Sequence, residues 1–120
     1  MEPFTPDQPL CQLGDIKDGG ATAVDAVLSG KDADATSVIL LRRGKAVQAY
    51  INICPHAGRR LDYAPGQFLL KDRTLICAVH GASFQQDDGL CIGGPCRGEH
   101  LSRVPVRVDD DGVFLAAPFE

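Results

Sequence analysis

The chain lacks long apolar segments and any excess of basic residues, and these two absences argue against a membrane-spanning protein and against a nucleic-acid-binding protein. None of its 120 residues lies in an apolar run of about twenty, the length that a membrane-spanning helix needs. Lys and Arg number 12 against 16 Asp and Glu, a net charge of −4, so nucleic acid is not an expected partner. The first residues show neither the basic and apolar regions of a signal peptide nor paired arginines. We therefore expect a cytoplasmic protein without a membrane span, formed as one domain over residues 1–120.

Cysteine and histidine are also few, at five and three, yet four of these residues form two mixed pairs. Cys54 and His56 are two positions apart, and Cys77 and His80 are three positions apart. Both members of each pair can therefore point inward from one tight turn, and a glycine near each histidine lets the backbone pass close to a bound group. Two thiolates and two imidazoles are a complete ligand set for one metal centre. With both cysteines on one iron and both histidines on the other, this set binds a [2Fe–2S] cluster.

The cysteines are also compatible with a zinc site or with disulfides. A Cys₂His₂ set can bind zinc, although zinc fingers commonly group cysteine with cysteine and histidine with histidine. A disulfide between Cys54 and Cys77 would leave both histidines without a role. A reducing cytoplasm would keep Cys11, Cys91 and Cys96 as thiols, and a disulfide between the last two is the alternative.

The segments around the two pairs resemble the cluster loops of the Rieske ferredoxin family. Residues 54–61, CPHAGRRL, and residues 77–84, CAVHGASF, are similar to the two ligand loops of that family. Residues 89–95, GLCIGGP, resemble the proline-bearing loop that covers the cluster. The resemblance covers roughly residues 36–116 and implies one Rieske-type [2Fe–2S] cluster. The cluster and metal ligands that it implies are Cys54, His56, Cys77 and His80.

The remaining pattern is β throughout. β-branched and alternating segments bounded by turns predict hairpins over 36–53 and 67–77, and each hairpin leads directly into a ligand cysteine. A last hairpin is predicted over 103–116, and an edge strand over 21–28. The sequence therefore predicts an all-β fold, a small antiparallel β-sandwich or barrel, with an inserted cluster-binding subdomain at about residues 52–97.

A cluster whose positions are all filled by protein ligands leaves no place for a substrate, so the simplest function is one-electron transfer without catalytic residues. We expect a soluble ferredoxin that serves a nicotinamide- or flavin-linked reductase and an oxygenase or other oxidoreductase. The alternative is a redox-sensing or small regulatory subunit of a nitrite-reductase-like complex.

The resemblance also predicts a low reduction potential. High-potential respiratory members carry a Ser two residues and a Tyr four residues after the second histidine, and both donate hydrogen bonds to cluster sulfur. The matching residues here, Ala82 and Phe84, have no side-chain donor, and the extra cysteine pair of those members would fall at Arg59 and Val79. Hydrogen bonds to sulfur stabilise the reduced cluster, so we expect a potential on the order of −150 mV.

Three arginines lie beside the proposed loops, although the chain as a whole is acidic. Arg59, Arg60 and Arg97 predict a basic rim suited to an acidic face on a partner. The alternative is that they are solvated or pair with Asp62 and Glu99, in which case they contribute little to docking.

Overall fold

The computed structural model describes residues 9–26, 35–55, 60–64, 66–77 and 81–116. Within these ranges the chain forms ten antiparallel strands in three sheets and one turn of 3₁₀ helix, Leu13–Asp15. The strands are β1 (Cys11–Gln12), β2 (Ala21–Ala26), β3 (Thr36–Arg43), β4 (Ala46–Ile51), β5 (Leu69–Lys71), β6 (Thr74–Ile76), β7 (Ser83–Gln85), β8 (Cys91–Gly93), β9 (Val106–Asp109) and β10 (Gly112–Leu115). No helix in the described part is long and apolar enough to cross a membrane.

Strand β3 separates two apolar cores. It lies at the centre of the sheet β2-β3-β4, where Ile39 pairs with Tyr50 of β4. Side chains alternate between the two faces of a strand. Val38 and Leu40 therefore point into one core, and Ile39 and Leu41 into the other, with at most 3% of each residue exposed. The unbroken apolar run in β3 is thus explained by burial on both faces.

The first core lies between the sheets β2-β3-β4 and β1-β10-β9. The backbone N–H of Val104 donates to the carbonyl of Ala49 at 2.9 Å and joins the segment before β9 to β4. The predicted all-β, antiparallel sandwich is confirmed, and β2 is an edge strand as expected. The buried members of this core are Leu13, Ile16, Ala26, Val38, Leu40, Ala49, Ile51, Val104, Val113 and Leu115.

The second core lies against the four-stranded sheet β5-β6-β7-β8. Tyr50 reaches into this core from β4 and is fully buried, and its hydroxyl donates to the carbonyl oxygen of Gln86 at 2.7 Å. Alternation in the sequence predicts that Ile53 lies on the same strand face as Ile51, yet Ile51 is buried and Ile53 is 48% exposed. That prediction is wrong because β4 ends at Ile51, so the strand alternation stops before Ile53.

Candidate metal centre

The two predicted ligand cysteines lie in the second core. Cys54 follows β4 and Cys77 follows β6, and the side chains of both are fully buried. Both belong to one apolar cluster with Leu61 and Phe84, and neither forms a disulfide. Both cysteines lie in this core because the strands that precede them, β4 and β6, also contribute side chains to it.

The two predicted ligand histidines, His56 and His80, lie outside the described residues. Among the residues that the structure describes, no group of three or more His, Cys, Asp or Glu side chains is arranged to hold a metal ion. The described part of this candidate centre therefore consists of the two cysteines and the segments that flank both loops.

Asn52 anchors the first ligand loop. Its side chain is 1% exposed, and its Oδ1 accepts the backbone N–H of Leu61 at 2.9 Å across the base of the loop. Its Nδ2 donates to Oγ of Ser37 at 3.2 Å on β3. A buried amide holds such a position because each of its polar atoms finds a partner. Sequence reasoning missed Asn52, although an amide residue between Ile51 and Cys54 was a usable signal.

An ion pair lies at the C-terminal end of the same loop. Nε and Nη2 of Arg60 donate to the two carboxylate oxygens of Asp62 at 3.0 and 2.7 Å. The backbone N–H of Gly66 also donates to Asp62, whose side chain is 2% exposed. The hydrogen bond from Arg60 lowers the pKa of Asp62, with burial opposing it and the Gly66 and Asn52 hydrogen bonds adding to it. The positive charge of Arg60 is thus compensated locally.

The predicted basic rim is therefore only partly present in the described residues. Of the two alternatives for Arg60, the structure shows pairing with Asp62. Arg97 is exposed, and its Nε donates to the carbonyl of Ile92 at 3.3 Å. Arg59 lies outside the described residues.

The third loop packs directly on the second ligand loop at Gly94. A Cβ built on Gly94 would lie 2.8 Å from Cα of Ala82, and Gly94 has φ of +92°. Gly81, predicted to allow a close approach to the bound group, has φ of +70°, and an added Cβ there meets no atom of the described residues within 4 Å. Gly81 is thus favoured by its positive φ, which glycine adopts without strain, whereas Gly94 makes the close contact within the protein. Pro95 beside it is exposed.

A pair of thiols is formed by Cys91 of the third loop and Cys96, the residue that follows this loop. Sγ of Cys96 is 3.1 Å from Sγ of Cys91, and the residues are 1% and 2% exposed. No disulfide joins them, so the thiol alternative describes this pair. Burial raises the pKa of Cys96 to about 12, and hydrogen bonds with Cys91 and Cys54 add to the shift. Cys96 belongs to the same buried cluster as Cys54, a proximity that the sequence did not predict.

A family model described as the Rieske [2Fe–2S] domain matches residues 7–109 of the chain. The chain belongs to this family. Membership confirms the predicted family and with it the Rieske-type [2Fe–2S] cofactor. The two buried thiols of Cys54 and Cys77, in one core and without a disulfide, fit the thiolate half of its donor set.

The Rieske chain is similar to proteins of oxygenase systems. The carnitine monooxygenase oxygenase subunit of Escherichia coli (strain K12) is 28% identical over 86 residues, which cover 66% of this chain and 22% of that subunit. The chain thus spans about a fifth of the length of this curated relative. The solved ferredoxin of carbazole 1,9a-dioxygenase from Nocardioides aromaticivorans IC177 is 27% identical with a TM-score of 0.71, and the match covers 92% of this chain and 96% of that one.

A further solved structure is a complex of reduced oxygenase and oxidized ferredoxin in carbazole 1,9a-dioxygenase. The match covers 91% of this chain and all of the matched chain, with 22% identity and a TM-score of 0.71, so it supports the fold alone. Family and full-length ferredoxin likeness together confirm the predicted electron-transfer class of this Rieske protein.

Proposed function

We propose that this Rieske protein is a low-potential ferredoxin that passes single electrons from a nicotinamide- or flavin-linked reductase to an oxygenase or other oxidoreductase. The observation that carries this proposal is the match to the dioxygenase ferredoxin over nearly the whole of both chains. A cytoplasmic location belongs to the same proposal.

We assign Cys54, His56, Cys77 and His80 as the cluster ligands. Burial of both cysteines in one core supports this assignment, as does the position of each at the end of a hairpin. The bound cluster would supply reversible one-electron exchange, and no residue of the chain takes a catalytic role. The single domain over 1–120, with a cluster-binding subdomain at about 52–97, is supported by the separate sheet between Leu69 and Gly93.

The low potential is supported by the surroundings of the second ligand loop. Ala82 and Phe84 are both fully buried, and neither side chain can donate a hydrogen bond. A cluster that lacks these two donors is harder to reduce, so we expect a potential on the order of −150 mV. Such a potential suits electron uptake from a nicotinamide- or flavin-linked reductase.

The test combines ligation with potential. The purified protein should show the visible and EPR spectra of a Rieske cluster, bleach with dithionite and recover with an oxidant. Cys77→Ala should lose the cluster, because a thiolate ligand is removed, whereas Cys11→Ala should retain it, because Cys11 lies in the other core. Loss of iron from Cys11→Ala would contradict the ligand assignment, and a wild-type potential well above zero would contradict the low-potential proposal.

A further inference from the structure

The thiols of Cys91 and Cys96 have no role in the ligand assignment, yet they touch each other. Their Sγ atoms are 3.1 Å apart, whereas the two sulfurs of a disulfide are about 2.05 Å apart. The two residues are 2% and 1% exposed and belong to the second core. A shift of about 1 Å would therefore bring the two sulfurs to bonding distance.

The backbone holds the two cysteines at this separation. The carbonyl of Cys91 accepts the N–H of Gly98 at 3.0 Å, and the N–H of Cys91 donates to the carbonyl of Glu99 at 2.7 Å. The N–H of Glu99 in turn donates to the carbonyl of Cys96 at 2.9 Å. Residues 91–99 are thus tied into one closed turn while both thiols are still reduced. Little further chain entropy is lost when the two sulfurs join.

We propose that Cys91 and Cys96 form a modification site, at which a peroxide joins the two thiols in a reversible disulfide that holds the third loop against the second ligand loop. Both S–H bonds break and one S–S bond forms. The two electrons and two protons pass to hydrogen peroxide, whose O–O bond breaks to give two molecules of water. The effect on the cluster rests on the assignment of Cys54 and Cys77 as ligands, but formation of the disulfide does not.

The contact between the two thiols decides the product of oxidation. Peroxide converts a cysteine into a sulfenic acid, which condenses with a neighbouring thiol to a disulfide. A sulfenic acid on either cysteine of this pair lies beside the other thiol. Burial slows the first step, yet hydrogen peroxide is small, and Ile92, Pro95 and Arg97 beside the pair are exposed. We therefore expect slow oxidation that stops at the disulfide.

The disulfide would act on the second ligand loop through Gly94. Gly94 lies between the two cysteines, and it packs so closely on Ala82 that an added Cβ would lie 2.8 Å from Cα of Ala82. Ala82 is two residues beyond His80. A cross-link stabilises a protein mainly by restricting the opened chain. With Cys91 joined to Cys96, the third loop can move less far from Ala82, so an assembled cluster should be lost more slowly.

Thiol mapping of the cluster-loaded wild-type protein tests the modification. The protein is treated with hydrogen peroxide and denatured, and its remaining thiols are blocked with N-ethylmaleimide before peptide mass spectrometry. Cys91 and Cys96 should be joined to each other and should be labelled only after reduction with dithiothreitol. Cys11, which packs against the first core, is the internal control and should form no intramolecular disulfide. Full labelling of Cys91 and Cys96 after peroxide, or a disulfide between other cysteines, would overturn the proposal.

Cluster retention tests the effect on the third loop. Loss of the cluster to a chelator is followed by visible absorbance for the wild type, Cys91→Ser and Cys11→Ser, each with and without peroxide treatment. Relative to its effect on Cys91→Ser, which cannot form the disulfide, peroxide should slow cluster loss about tenfold in the wild type and in Cys11→Ser. The same effect of peroxide on all three proteins would overturn the role of the disulfide in holding the loop.

A comparison within the wild type keeps the test valid if Cys91→Ser assembles no cluster. Dithiothreitol should restore the faster rate of cluster loss in the peroxide-treated wild type, because it reopens the disulfide. An unchanged rate after reduction would overturn the proposed effect on the loop. Wild-type protein without a Rieske EPR signal would instead refute the ligand assignment, while thiol mapping would still decide whether the disulfide forms.

Discussion

The contact between the third loop and the second ligand loop can be tested at Gly94. The substitution Gly94→Ala adds a Cβ 2.8 Å from Cα of Ala82 and 3.3 Å from its backbone nitrogen. Both neighbours are backbone atoms two residues beyond His80, so they cannot rotate away as a side-chain end could. We expect the third loop to be displaced from the second ligand loop.

Two effects contribute to the loss of folding stability in Gly94→Ala. A Cβ at the left-handed φ of +92° costs about 1–2 kcal/mol, and forcing an extra carbon into a packed contact costs about 1–3 kcal/mol more. The free energy of unfolding should therefore fall by roughly 2–5 kcal/mol. At this chain length each kcal/mol lowers Tm by roughly 3–5 °C, so the expected fall in Tm is on the order of 10 °C.

Gly98→Ala is the matched control. Gly98 has φ of +94°, yet an added Cβ there meets no atom of the described residues within 4 Å, so this variant reports backbone strain without the steric contact. Thermal unfolding of the cluster-loaded proteins is followed by circular dichroism, and cluster loss to a chelator by visible absorbance. We expect Gly94→Ala to be the less stable variant and to lose its cluster faster. Equal Tm values and equal rates for the two variants would refute the steric argument.

Three other predictions concern the loops and the potential. Asn52→Ala leaves the buried N–H of Leu61 without its partner, so the free energy of chemical unfolding should fall by about 1–3 kcal/mol. Ser37→Ala removes a partly buried partner of Asn52 and should lower this free energy by much less. Equal losses in the two variants would contradict the anchoring role of Asn52. The pKa of Asp62 is lower in the folded protein than in the unfolded chain, where it is about 3.9. Ionised Asp62 therefore stabilises the fold at pH values above about 3.9, and this stabilisation is lost as the pH falls through the pKa of the folded protein. The Tm of Asp62→Asn should therefore be lower than that of wild type at neutral pH, and it should fall less as the pH is lowered. If the Tm of both proteins fell equally in acid, Asp62 would not be the source of this pH dependence. The double variant Ala82→Ser with Phe84→Tyr should raise the midpoint potential while keeping the cluster, and a potential equal to wild type would show that neither hydroxyl reaches sulfur.

Local sequence determined the strands of the predicted hairpins and the turns between them, but it did not predict the short strands β1, β7 and β8. Strand alternation, β-branched residues and turn residues are properties of neighbouring positions, and they predicted both hairpins before the ligand cysteines to within about two residues. The Cys-His spacing likewise depends on a few adjacent residues, and it was enough to predict the family that the comparisons confirmed.

Only the tertiary structure decided which side chains meet around the centre. Tyr50 reaches Gln86 and Asn52 reaches Ser37, each across many positions in the sequence. The packing of Gly94 on Ala82 likewise depends on how two loops cross. None of these contacts follows from periodicity, because each is fixed by the packing of separate hairpins against one core. The sequence therefore predicted the ligand loops, and the fold determined what surrounds them.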